Sequence, residues 1–321
     1  MRRQIAAGSL CPISDVTART LFPLLALGAI WGASFLFIKV LVDETSALEV
    51  VQGRLFFGAL AVGVVMAGRR TPIPRERALW PGVVPWALFG VAVPFALIAW
   101  AEEHIESGAA SVLNSSMPLF TALFAAAFLA DERLTPMRMA GLAVGFVGVI
   151  ALTGGDVYDL GDSSVLGELA VVGAAACYGA SAVYGRTLLR HSEPLGLSAV
   201  QLTVGLLLVL PVLLAVRGVP DYSLSVEAWL SLLALGVLGT GMGPVMYLWL
   251  VDHTGSVRAS LVTYVIPIVG LFLGWAVLGE SIGLNTVLGL ALIIGGVAAV
   301  MGGQAPARQR STVAVEATAG D

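Results

Sequence analysis

The chain is written twice, and each copy holds an odd number of hydrophobic runs. Tyr178-Gly179-Ala180-Ser181 echoes Trp31-Gly32-Ala33-Ser34. Arg186 stands where the first copy has Lys39, Gln201 where it has Arg54, and Gly205 where it has Gly58. Trp249 and His253 answer Trp100 and His104, Ala259-Ser260 answers Ala110-Ser111, and Pro267 answers Pro118. Glu280 matches Glu132, and Gly289 with Gly296 matches Gly141 with Gly148. The offset stays between 147 and 149 residues throughout. An odd number of membrane crossings per copy turns the second copy upside down relative to the first. Duplications of this kind are how secondary carriers are built, with the binding site where the copies meet.

The runs themselves require a bilayer. The chain is 58% hydrophobic and 12% charged, with a mean hydropathy of +0.92, far more apolar surface than a soluble core hides. A helix needs about 20 apolar residues to cross the hydrocarbon. Ten runs qualify: 21–42, 47–67, 80–101, 109–129, 137–153, 167–189, 195–216, 229–250, 256–278 and 284–302. The expected fold is therefore an all-α membrane protein of ten transmembrane helices. A tail at 1–20 precedes a first five-helix repeat at 21–153, and a second, inverted repeat follows at 167–302. Residues 303–321 are polar and small, the composition of a disordered tail. The first twenty residues carry arginines without an apolar h-region, so the first run is expected to be an uncleaved span.

Loop charges orient the spans. With both termini in the cytoplasm, fourteen of the seventeen basic residues fall inside: Arg2, Arg3, Arg19, Arg69, Arg70, Arg75, Arg77, Arg133, Arg138, Arg186, Arg190, Arg258, Arg308 and Arg310. Lys39, Arg54 and Arg217 fall toward the outside, where the first half's loops are acidic: Asp43, Glu44, Glu102, Glu103, Glu106, Asp156, Asp159 and Asp162. The expected location is the cell's inner (plasma) membrane.

Charges inside spans mark pathways, because an unpaired charge in hydrocarbon is costly. Arg54 lies about two turns into the second span. It is a candidate contact for a carboxylate or phosphate, against snorkelling to headgroups or pairing with Glu49 or Glu102. Its counterpart Gln201 is polar but neutral, an asymmetry suited to a solute with one anionic end. Lys39 and Arg186 lie at span ends, where interfacial anchoring competes with a role at the pathway's mouths. Trp31 and Ser34 share a helical face, repeated by Tyr178 and Ser181, an aromatic wall with a hydroxyl beside it. Asn114 and Pro118 share a face of the fourth span, as Tyr264 and Pro267 do in the ninth. A helical proline leaves the carbonyl four residues back without its donor, so kinks that present polar contacts at mid-depth are expected at both prolines. Gly236, Gly239, Gly241, Gly243 and Pro244 form either a packing surface or a flexible element in the eighth span. The candidate solute contacts are thus Trp31, Ser34, Arg54, Asn114, Tyr178, Gln201 and Tyr264.

Glu49, Glu102, Glu168, Asp252 and Glu280 all lie near span margins, so no midplane proton relay is visible. A proton or an exchanged solute remains the candidate coupling partner. Two cysteines and three histidines offer no metal-type spacing, and neither a cofactor nor nucleic acid is expected. An intramembrane enzyme would need a nucleophile with a base, or clustered metal ligands, and a scaffold would not need paired prolines.

With Trp31-Gly32-Ala33-Ser34-Phe35, Lys39, Arg54, the stretch from Ala110-Ser111 through Pro118 to Glu132-Arg133-Leu134, and Gly141 with Gly148, the chain resembles the EamA-type transporters of the drug/metabolite transporter superfamily. The resemblance covers Leu21 to Gly302. Tyr178, Gln201 and Glu280-Ser281 depart from it in the second half. It implies a ten-helix carrier with a central cavity, moving metabolites or drugs by alternating access. Many such members resemble inner-membrane exporters of amino acids or related solutes. A carrier of phosphorylated or strongly anionic solutes is the alternative; it would want several cavity cations.

Overall fold

The computed structural model describes residues 18–74, 80–129, 132, 134–153, 162–188 and 193–302. Residues 1–17 and 303–321, Arg75, Arg77, Arg133, Arg190, Asp156 and Asp159 lie outside the described residues, as does the side chain of Arg19, and α1 begins at Ala18, inside the stretch expected to be tail. The described chain is all-helical. Its elements are α1 (Ala18–Val42), α2 (Ala47–Arg69), α3 (Trp80–Ala87), α4 (Val93–Glu102), α5 (Ser107–Asn114), α6 (Met117–Phe128) and α7 (Pro136–Thr153). Then come α8 (Ser163–Leu188), α9 (Pro194–Val216), α10 (Val226–Leu233), α11 (Gly243–Thr254), α12 (Ser256–Ala259), α13 (Val262–Leu278) and α14 (Leu284–Gly302). The helix of the sixth run starts at Ser163, four residues before the expected 167, with Asp162 accepting from the Ser164 N–H at 2.9 Å.

Among the described residues, nine helices are long and apolar enough to cross a bilayer. The run at 256–278 is divided instead, into the single turn α12 and the 17-residue α13. Its junction is tightened by i→i−3 bonds, Leu261 N–H to Arg258 O at 3.1 Å and Thr263 N–H to Ser260 O at 3.0 Å. The fourth run also divides. α5 stops at Asn114, Ser115 and Ser116 turn, and Pro118 enters as the second residue of α6, where its missing N–H is harmless. Pro267, by contrast, sits inside the continuous α13.

Two spans carry π-helical segments, Leu88–Ala92 between α3 and α4 and Ala234–Met242 between α10 and α11. The closing bonds are i→i−5, from Val93 N–H to Leu88 O and from Gly243 N–H to Leu238 O. Each segment runs into a proline, Pro94 or Pro244, whose lack of N–H strips the carbonyl four residues back of its α-helical donor. The widened turns stand at equivalent places in the two halves.

Helix pairing obeys a two-fold exchange. α7 packs on α14, α2 on α9, and α5 on α13. α1 packs on α13 as α8 packs on α5 and α6, while α2 packs on the second π segment as α9 packs on the first. The direction is inverted. α1 ends where α8 begins, since the loop after α1 bonds the loop after α9, and Gly167 near the start of α8 packs on Ala101 and Ile105. Buried residues such as Leu41, Val50, Leu55, Ala101, Leu113, Ala174 and Leu235 join both halves in one core. The outer surface bears Phe22, Leu60, Val64, Leu207, Phe272 and Leu284, all exposed. Such a belt is covered by lipid in a protein of this composition.

Candidate functional site

The second π segment gathers three of the expected residues. Arg54 comes from α2 and is 6% exposed. Its Nε donates to Thr240 Oγ1 at 3.2 Å, and that hydroxyl donates to Leu235 O at 3.0 Å. The guanidinium carbon lies 3.6 Å from the centre of the Phe95 ring, a cation–π contact. Trp31 donates its Nε1–H to Gly239 O at 3.0 Å, and its ring tilts against Tyr247 at 5.8 Å. Ser34 is buried, bonds its own helix at Ile30 O (3.0 Å), and touches Gly239. Carbonyls loosened by a π turn are thus met by an indole and a hydroxyl.

The first π segment repeats the arrangement with neutral groups. Gln201 Nε2 donates to Trp86 O at 3.2 Å, and Ser181 Oγ reaches the same oxygen at 3.4 Å. Gly90 makes the approach possible, since a Cβ there would stand 2.3 Å from Gln201 Nε2. Tyr178 joins the two clusters. Its ring meets Phe95 edge-on at 6.4 Å, beside the Arg54 charge. Ser181 also lines a cavity of about 390 Å³, together with Phe89, Phe124, Phe128 and Tyr184.

The remaining candidates sit apart. Asn114 ends α5, and its buried Oδ1 has no hydrogen-bond partner among the described residues. Tyr264 turns its hydroxyl to Met301 Sδ of α14 at 3.3 Å, away from the π segments. Lys39 Nζ bonds the main-chain oxygens of Glu102 (2.6 Å) and Ile105 (3.2 Å), and so caps the end of α4. Glu132 holds Arg138 and Arg186 at 3.1 and 3.2 Å. Glu102, placed at a margin by sequence, is fully buried.

Sequence reasoning missed Phe95, Thr240 and the main-chain oxygens of Trp86 and Gly239. A signal existed: Gly90-x-x-x-Pro94 in the third span is echoed by Thr240-x-x-x-Pro244 in the eighth, a second pair of prolines with orphaned carbonyls.

The sequence model of the EamA-like transporter family matches residues 19–154 and 165–302. The chain belongs to this family. It is an EamA-like membrane transporter. An uncharacterized transporter, YoaV of Bacillus subtilis, is 25% identical over 87% of this chain and 95% of its own length. A probable terminal-alkyne amino-acid exporter of Streptantibioticus cattleyicolor is 28% identical over 83% and 88%. The uncharacterized inner membrane transporter YedA of Escherichia coli K12 is 25% identical over 84% and 87%. One crystal structure shares the fold of the EamA-like chain at a TM-score of 0.63 and 20% identity, covering 88% of this chain and 97% of its own.

Proposed function

We propose that this EamA-like transporter is a ten-span carrier with both termini in the cytoplasm, residing in the inner (plasma) membrane. Its repeats are the five-helix units 21–153 and 167–302, flanked by tails at 1–20 and 303–321. It moves small organic metabolites, amino-acid-like or drug-like, outward by alternating access. Trp31, Ser34, Arg54, Asn114, Tyr178, Gln201 and Tyr264 are the proposed solute contacts, and Pro118, at the break between α5 and α6, and Pro267, inside α13, are the proposed points of bending.

The observation that carries this reading is Arg54. Among the described residues the ion pairs all involve Glu132, so Arg54 makes none, and Glu102 faces it without a bond. Only its Nε finds a hydrogen-bond partner, which leaves the two terminal amino groups unoccupied among the described residues. A buried cation held by a hydroxyl and an aromatic face is a standing site for one anionic group, such as an amino-acid carboxylate. Among the described residues Arg54 is the buried cation without an ion pair, and one such cation favours that solute over a phosphorylated or multiply anionic one. The exporter relative from Streptantibioticus cattleyicolor supports the same class and direction.

The test is uptake of a panel of amino acids and aromatic drugs into inverted membrane vesicles. At least one panel member is expected to accumulate with the wild-type protein, and Arg54→Ala to abolish that uptake while remaining in the membrane. Uptake with unchanged kinetics in the variant would remove Arg54 from the site. No uptake of any member by the wild-type protein would remove the solute class.

A further inference from the structure

Glu102 is the last residue of α4 and is 0% exposed. Both of its carboxylate oxygens lack a hydrogen-bond partner among the described residues. Two cations face it, and neither hydrogen-bonds it. Lys39 of α1 spends its ammonium on two main-chain oxygens, and Arg54 of α2 on Thr240 and the Phe95 ring. Glu280, before α14, faces it with the same sign of charge. It accepts the Ser107 and Gly108 N–H groups at 2.7 and 2.8 Å. From α8 come Tyr178, beside Arg54, and Glu168; α5 and the first π segment bring no ionisable side chain. An ionised carboxylate held dry and unbonded is strongly unfavourable, and a proton on Glu102 removes that penalty.

The residues just beyond Glu102 hold the bundle shut at this end. Glu103 accepts the Ala47 N–H at 3.1 Å, and Glu106 accepts the Ser281 N–H and hydroxyl at 3.2 Å each. These contacts tie the loop after α4 to the start of α2 and to the loop after α13. Separating the halves here pulls on the segment that seals Glu102 from water.

We propose that the Glu102 side chain is a proton-binding site that locks this end, occupied while the loops are latched and emptied into water when they part. The proton moves from carboxylic acid to solvent water, leaving the carboxylate hydrated in the open form. The latched form holds one proton more, so acid favours latching and alkali favours opening. Opening then rises by up to about tenfold per pH unit over the range in which Glu102 titrates. The inference rests on the two-state reading above, since a lock needs an end that opens.

Two measurements on the full chain in liposomes, neither needing a solute, test it. Infrared titration from about pH 5 to about pH 9, the range of documented buried carboxyls, should show a protonated carboxyl band. E102Q should lack that band, while E49Q and E280Q, altered at bonded carboxylates, should retain it. Its absence in the wild-type protein overturns the site. Spin labels at Asp43→Cys and Val219→Cys, in a cysteine-free background, should report a longer distance with rising pH, and E102Q should remove that dependence. A second label pair at Ile73→Cys and Glu193→Cys watches the opposite end. A static first pair with a mobile second pair overturns the lock. Static pairs at both ends at every pH overturn the two-state reading itself.

Discussion

Arg54 is held in apolar surroundings by one hydroxyl and one aromatic face, which position the side chain without neutralising it. A cation–π contact of this kind contributes about 0.5–2 kcal/mol and a hydrogen bond about 1 kcal/mol. Withdrawing the charge from water costs several kcal/mol. On the proposed reading a solute carboxylate offsets the deficit, so stability and affinity should move in opposite directions on substitution. Arg54→Gln copies the second half's Gln201, and the variant should melt no lower than the wild-type protein in a thermal-shift assay. Its apparent affinity for a carboxylate solute should fall roughly tenfold to a hundredfold, the equivalent of about 1.5–3 kcal/mol for a charge-assisted bond. Arg54→Lys keeps the charge but loses the planar fork and the ring stacking, so its affinity should lie between the two. An R54Q protein with wild-type apparent KM would show that the guanidinium contacts no solute. His104 and Trp100 teach the opposite lesson at the same scale. The ring nitrogen Nδ1 of His104 lies 2.9 Å from the Trp100 oxygen near the end of α4, and the two rings lie 4.6 Å apart, so the pair serves the helix end.

At the scale of the element, α7 and α14 meet through glycine. A Cβ on Gly296 would stand 2.5 Å from Gly145 N and 2.6 Å from Gly141 O, backbone atoms that cannot step aside. One on Gly295, the next residue, would meet nothing within 4 Å. Gly296→Ala should therefore part the helices and destabilise the protein by about 1–3 kcal/mol. Gly295→Ala should fall within about 0.5 kcal/mol of the wild-type protein. Thermal unfolding of the two variants in one detergent makes the comparison, and equal midpoints would refute the close backbone contact. This packing was legible in the sequence as the spaced glycines of both copies, because small residues at a fixed spacing have one simple use in a membrane. The helical fold was legible for the same kind of reason: hydropathy records the bilayer directly. The π segments were not, since a single skipped hydrogen bond barely disturbs a periodicity of 3.6. Only the prolines at 94 and 244 betrayed them. Trp31, Arg54 and Gln201 stood out as candidates by residue type and doubling. Their partners are main-chain oxygens and a threonine, which carry no mark in the sequence. Glu102 was placed at a margin because a helix end is where spans meet water. Its complete burial is a tertiary fact.

For the whole molecule, hydrogen bonds between the halves close one end. Glu44 accepts the Ser225 N–H and hydroxyl at 2.8 and 2.6 Å, and Glu49 accepts the Asp221 N–H at 3.3 Å. Tyr222 donates its hydroxyl to Glu49 O and to Gln52. With Glu280 and Glu106 on the other side, carboxylates of each half clasp the other half's backbone. Burial and the neighbouring Glu49 push the Tyr222 phenol up to about 12, so it remains a donor at every physiological pH. The Ser225 hydroxyl and N–H hold the Glu44 carboxyl below its ordinary value. Its contribution to latching is complete above the ordinary carboxylate range and is lost as pH falls through that lowered value. Protons thus weaken the clasp at Glu44 and strengthen the lock at Glu102, in separate pH windows. The open fraction reported by the Asp43–Val219 label pair should therefore be smallest at intermediate pH and rise on both sides. Glu44→Gln should shrink the acid limb and leave the alkaline limb, and E102Q should do the reverse. An acid limb untouched by Glu44→Gln would mean that the clasp to Ser225 does not bear on opening. Loss of both limbs in either variant would mean that the two carboxyls act as one unit, through the short segment from Val42 to Ala47 that Glu103 ties to the end of α4.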